Sequence, residues 1–241
     1  MEATRPLMGT VFRVTVPDGT SDQTVDEVFA WLEHVEADFS TYRADSVISR
    51  IGLDELARDD APPEVRHVLA RCDELEEATG GRFRVRGGAA PLDPSGFVKG
   101  WSVDEAALIV RSAGIDDFAI YAGGDILCAG RPPDGDRWRI GIRHPERPDQ
   151  NLATVVAVEG GAVATSAAYY RGDHIRGSRY GVVVSVTVTG PSLGVADALA
   201  TAIFSDGAES LEFMDGFPEY GVLLLDAGGT MRKTPRIVTI P

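Results

Sequence analysis

Lysine is almost missing from this chain: of 23 Lys and Arg residues only Lys99 and Lys233 are lysine. A compact ammonium where the sequence otherwise writes Arg singles out Lys99. Cysteine is as scarce. Cys72 lies in a helical pattern and Cys128 at the end of an apolar strand, which speaks against a disulfide framework or a thiolate metal centre and reads as two small buried hydrophobes. Positive charge is short as well, with 37 acids and a formal net charge of −14, which disfavours nucleic acid or an anionic membrane as the main partner. No apolar run approaches the ~20 residues that span a bilayer, and Met1 to Pro6 lacks the basic flank and apolar block of a signal peptide. A soluble, cytoplasmic protein without membrane insertion is expected. Neither a G-x-G-x-x-G fingerprint nor a Walker-A loop is present, which argues against a Rossmann or P-loop nucleotide site.

What is there is a 241-residue chain, 44% hydrophobic, able to bury a core as one large domain or two intimately joined lobes. Val11–Val16 alternates as a strand. A helix follows, with Thr20 and Gln23 at capping-box spacing and Val25, Val28, Phe29, Leu32 and Val35 inward. Phe39 to Ser46 reads as a hydroxyl-rich loop, Pro63 to Thr79 as a second amphipathic helix, and Arg82 to Arg86 as a short, basic, alternating strand. His34 and His67 lie beside apolar stripes with no metal-spaced partner and read as structural or surface residues. Phe118 to Leu127 is a strand pattern interrupted by Gly123-Gly124-Asp125, which suggests a bulge or a close backbone approach. Trp138–Arg143, Leu152–Val158, Val182–Thr189, Tyr220–Leu225 and Ile237–Ile240 supply further strands.

Two stretches carry chemistry. In Leu92–Ala107 a turn over Asp93-Pro94-Ser95-Gly96 delivers Lys99 to the start of a helix, with Trp101, Val103, Ala107, Leu108 and Val110 as inward positions. The unpaired N–H groups of a first helical turn and an added ammonium can bind an anion; Lys99 can equally snorkel beside the helix start. The second stretch is the alanine-rich helix Val195–Phe204, where Asp197 and Thr201 stand one turn apart on one face. They can cap and bond back to the backbone, or they can offer a carboxylate and a hydroxyl to a hard cation such as Mg²⁺.

Six motifs in order, Met8-Gly9-Thr10, Ser40-Thr41-Tyr42 with Asp45-Ser46, Asp93-x-Ser95-x-x-x-Lys99-Gly100-Trp101-x-x-Asp104, Gly123-Gly124-Asp125, Thr165-Ser166, and Ala196 to Ala202 around Asp197 and Thr201, resemble the ApbE family of FAD:protein FMN transferases. The resemblance is collinear over almost the whole chain. It implies one ApbE-like domain over residues 1–241, an α+β fold of mixed β-sheets with flanking helices, and FAD and Mg²⁺ in a cleft between two joined lobes. It implies an enzyme that cleaves the FAD pyrophosphate and attaches FMN by a phosphoester to a Thr or Ser of a target flavoprotein. Carried over by position, Val98 (through its carbonyl), Asp197 and Thr201 become the metal ligands. Met8, Tyr42, Phe83, Ser95, Lys99, Trp101, Thr165 and His174 become the flavin and nucleotide contacts, with His174 and Asp197 as catalytic groups.

The chain departs from the family pattern in three places. Gly81-Arg82-Phe83-Arg84 stands for a Gly-Ala-Phe-Asp type segment, Thr165-Ser166-Ala167 for Thr-Ser-Gly, and His174-Ile175-Arg176-Gly177-Ser178 for His-Ile-Ile-Asp-Pro. Two alternatives therefore stand beside transfer: an FAD pyrophosphatase giving FMN and AMP, and a flavin-binding protein of the same fold without transferase activity.

Overall fold

The computed structural model describes residues 1–133, 135, 137–145, 154–167, 183–208 and 211–240. Among these residues eleven strands and five α-helices follow one another as β1 (Glu2–Leu7), β2 (Thr10–Thr15), α1 (Asp22–Phe39), α2 (Val47–Gly52), α3 (Pro63–Ala78), α4 (Ser95–Ser112), β3 (Phe118–Ala122), β4 (Asp125–Ala129), β5 (Trp138–Ile142), β6 (Thr154–Val158), β7 (Gly161–Ala167), β8 (Val183–Gly190), α5 (Leu193–Ser205), β9 (Gly221–Asp226), β10 (Met231–Lys233) and β11 (Thr239–Ile240). Eight strands form one sheet in the order β1-β2-β3-β4-β7-β8-β9-β10, and a smaller sheet runs β11-β6-β5. The α+β class holds, with every pairing between these strands antiparallel rather than mixed.

The period-2 geometry of strands sorts the large sheet's side chains into two cores. Phe118, Ile120, Val186 and Val188 face the helices, while Ala119, Ile126, Val163 and Leu223 meet Trp138, Ile140 and Val156 of the small sheet. The large sheet is thus the middle layer of three. Helix α5 is buried almost throughout because it packs on α4 as well as on β7 and β8.

Several boundaries differ from the sequence reading. Helix α1 is capped by Ser21, whose hydroxyl accepts from the Gln23 N–H at 3.2 Å, not by Thr20. Helix α4 starts at Ser95, four residues ahead of Lys99, so Val98 stands inside its first turn and Lys99 just past it, and Leu108 is exposed. Gly123-Gly124 is no bulge. Both glycines have positive φ and turn β3 into the hairpin partner β4. The close approach is there all the same, since a Cβ on Gly123 would stand 2.4 Å from Thr10 Oγ1. Arg82 to Arg86 forms no strand, because its backbone is taken up locally: the Phe83 N–H donates to Thr79 Oγ1 at 3.0 Å and the Val85 carbonyl accepts from Asp93 N–H at 2.7 Å. Cys72 and Cys128 are buried, and burial pushes both thiols up to about 12. Among the described residues no helix is long and apolar enough to cross a membrane.

Candidate active site

The N-terminus of α4 and the middle of α5 are brought together by one close joint. Gly100 of α4 lies against the start of α5 so tightly that a Cβ there would stand 2.4 Å from the Leu193 carbonyl oxygen. Alongside it, the Asp104 carboxylate accepts from Ser192 Oγ at 2.8 Å, Leu193 N–H at 2.8 Å and Gly194 N–H at 2.9 Å. A side chain of one helix thereby satisfies the orphan donors at the start of another. Burial pushes the Asp104 carboxyl above its ordinary value, against the pull of those three hydrogen bonds and with a small upward push from Glu105. Below this joint the first turn of α4 runs beside α5, and a Cβ on Gly96 would stand 3.4 Å from Thr201 Oγ1.

Between these helices, the sheet and α1 opens a cleft of about 390 Å³. Its floor is acidic. Asp197 and Asp125 are both buried, and Lys99 is ion-paired to Asp125 while its Nζ lies 2.9 Å from Asp197 Oδ2. Asp125 Oδ1 also accepts from the Thr165 N–H at 2.8 Å, which ties β4 and β7 to the lysine. Hydroxyls complete the floor: Thr165 Oγ1 lies 2.9 Å from Thr187 Oγ1, and Ser166 Oγ 3.5 Å from Thr201 Oγ1. At the entrance of α4 the Ser95 N–H bonds Asp93 Oδ1 at 3.0 Å.

The rim is built differently. Met8 and Gly9, both at positive φ, make the two-residue turn between β1 and β2, and Glu36 of α1 accepts from the Met8 N–H at 2.8 Å. Opposite stands the Ser40–Ser46 loop, held because Ser46 Oγ donates to the Ser40 carbonyl at 2.7 Å. Its Tyr42 is 97% exposed, a large ring with nothing packed on it at the mouth of the cleft.

Of the residues named from sequence, Met8, Tyr42, Ser95, Val98, Lys99, Thr165, Asp197 and Thr201 line this one cleft. Phe83 and Trp101 do not. Phe83 is buried beneath Gly96, and Trp101 packs edge-on against Trp31 and Phe39, so both support the floor from behind. The Lys99 ammonium is turned to the two carboxylates of the floor, Asp125 and Asp197. His174 lies outside the described residues. Glu36, Asp93 and Asp125 line the cleft without having been assigned roles from sequence. Asp125 carried a signal, as a lone charge opening the apolar run Ile126-Leu127-Cys128. His34 does have close partners: its Nε2 is 3.2 Å from Glu64 Oε1 and 3.7 Å from Asp38 Oδ2, the latter four residues on along α1.

A floor of carboxylate and hydroxyl oxygens beside a helix N-terminus is a donor set for a hard cation and a phosphate. The fold is shared with solved flavin transferases. The flavin transferase ApbE from Vibrio cholerae superposes with a TM-score of 0.79 at 24% identity, covering 97% of this chain and 96% of that one. The ApbE protein of Thermotoga maritima gives 0.80 at 20% identity over 98% and 97%. By sequence, the FAD:protein FMN transferase of Vibrio cholerae is 28% identical over 271 aligned residues, 85% of this chain and 80% of the relative. That of Treponema pallidum is 29% identical over 218, with 78% of this chain and 60% of the relative covered. The sequence profile of the ApbE family matches residues 8–90 and 85–224. The chain belongs to the ApbE family.

Proposed function

We propose that this protein is an Mg²⁺-dependent FAD:protein FMN transferase. The observation that carries the reading is the cleft floor: Asp197 and Thr201 of α5 meet the first turn of α4 in the same cavity that Met8, Tyr42, Ser95 and Thr165 line. The similarity to transferases of that name supports it. In the reaction, the hydroxyl oxygen of a Thr or Ser on a target flavoprotein attacks the phosphorus of the FMN half of FAD. The bridging P–O bond of the pyrophosphate breaks, AMP leaves, and the hydroxyl proton goes to a base.

Asp197, Thr201 and the Val98 carbonyl would hold the Mg²⁺. When bound, the ion neutralises pyrophosphate charge and polarises the attacked phosphorus. The chain supplies the rest. The positive end of the α4 dipole favours a phosphate at the helix start, where the Ser95, Phe97 and Val98 N–H groups already donate to Asp93 and Pro94. Ser95 and Thr165 offer hydroxyls on opposite walls, Met8 an apolar contact, and Tyr42 a ring on which a planar heterocycle can stack. His174 is the proposed base, because an imidazole's ordinary pKa suits proton removal near neutrality.

Co-expression with a flavoprotein fragment bearing an Asp-x-Ser/Thr-Gly-Ala-Ser/Thr segment tests this. A covalently fluorescent band is expected with FAD and Mg²⁺ and is lost in Asp197→Ala. Folded, FAD-loaded protein that leaves the fragment unlabelled rules transfer out. Release of FMN and AMP without an acceptor would then identify a pyrophosphatase, and FAD binding with neither product a flavin-binding protein.

A further inference from the structure

The reading of the cleft as a cation and pyrophosphate site leaves one of its charges without a task. Lys99 is ion-paired to Asp125 and stands 2.9 Å from Asp197 Oδ2, its side chain 28% exposed to the cleft while both carboxylates are buried. Two buried carboxylates this close repel each other, and the single ammonium between them offsets the repulsion. Asp197 therefore has a cationic partner of its own before any ion arrives.

We infer that Lys99 is a tethered counter-cation: a positioning residue that keeps Asp197 aimed at the cleft floor and, by competition, sets how tightly a divalent cation binds there. The inference rests on the proposal that Asp197 is a metal ligand. An ion approaching Asp197 meets an ammonium at the same carboxylate, so part of its attraction is spent on like-charge repulsion or on moving the lysine aside. Asp125 decides how large that part is. Anchored by the Thr165 N–H, Asp125 stays in place as the partner to which the ammonium can withdraw when Asp197 turns to the ion. Lysine suits this exchange because its charge is a point on a flexible stem, whereas an arginine fork would span both carboxylates and hold them.

The test uses Mn²⁺ as the probe, titrated into the full chain without FAD and followed by the paramagnetic resonance of the free ion, with circular dichroism to confirm folding. Wild type is expected to bind and Asp197→Ala to lose binding. Lys99→Met removes the competitor and is expected to bind tighter by on the order of tenfold. Asp125→Asn leaves the ammonium to Asp197 alone, and Lys99→Arg strengthens its grip, so both bind more weakly than wild type. The Mn²⁺-induced rise in melting temperature follows the same order and gives a second readout. Wild-type affinity in Lys99→Met and Asp125→Asn, with binding still lost in Asp197→Ala, overturns the inference and leaves the cation site standing. Unaltered binding in Asp197→Ala removes the cation reading and the inference with it. Should Lys99→Met fail to fold, Asp125→Asn and Lys99→Arg decide, and wild-type affinity in both overturns the proposal.

Discussion

Helices α4 and α5 meet at Asp104 and again at Lys99, and the two joints are made of different materials. At Asp104 a buried carboxylate takes two backbone N–H groups and a serine hydroxyl, all from the first residues of α5 or its cap. Nothing that enters the cleft competes for those donors. At Lys99 the joint is a charge pair, Nζ to Asp197 Oδ2, open to the cavity on one side. A ligand carrying its own charge can replace either partner. The first joint fixes where the helices stand, and the second holds groups that can be exchanged once they stand there.

Substitutions at each joint should therefore separate activity from stability. The largest effect belongs to Asp197→Ala, expected to lower FMN transfer by about 100-fold or more through loss of metal-assisted charge stabilisation. Its melting temperature should stay near that of wild type, measured beside single-turnover labelling; a protein that melts early would erase the distinction. Next comes Asp104→Ala, which leaves two N–H groups and a hydroxyl without their acceptor and should cost about 2–4 kcal/mol in urea unfolding. Gly100→Ala follows at about 1–3 kcal/mol, because its Cβ would strike backbone rather than a movable side chain. A neutral result there would mean that the helices can slide apart, and the joint would not be rigid.

The smallest effect is a slope. Burial holds the Asp104 carboxyl above its ordinary value, so the folded state binds more protons than the unfolded one between the ordinary carboxylate range and that raised value. Stability from this group falls as pH rises through the window. Unfolding midpoints of wild type and Asp104→Asn, compared from acid to neutral pH, should show a wild-type advantage that is greatest at the acid end and narrows upward. A constant difference would mean that the carboxyl is not raised.

Parts of this site can be read in the residues and parts cannot. Asp197 and Thr201 share a face because the helical period dictates it, and both line the cleft. The apolar stripes of α1 and α3 likewise predict their buried faces. Strand β1 escapes notice because it is an edge strand whose polar, partly exposed residues lack an apolar alternation, and α2, at six residues, is too short to show a period. Arg82 to Arg86 alternates for another reason: Phe83 and Val85 are buried anchors of a turn, not rungs of a ladder. The role of Asp125 depends on the register that sets Asp125 beside β7, a pairing across many residues that no local pattern encodes.

The Asp104 joint also sets an order of events. Its bond from Gly194 closes a loop of 90 residues, and entropy makes such closures slow relative to local helix formation. Helix α4 can form early, but the floor that α5 completes exists only after that loop has closed. Completion of the cleft floor is therefore kinetically gated by long-range assembly, and a chain still short of α5 has no half-built cleft.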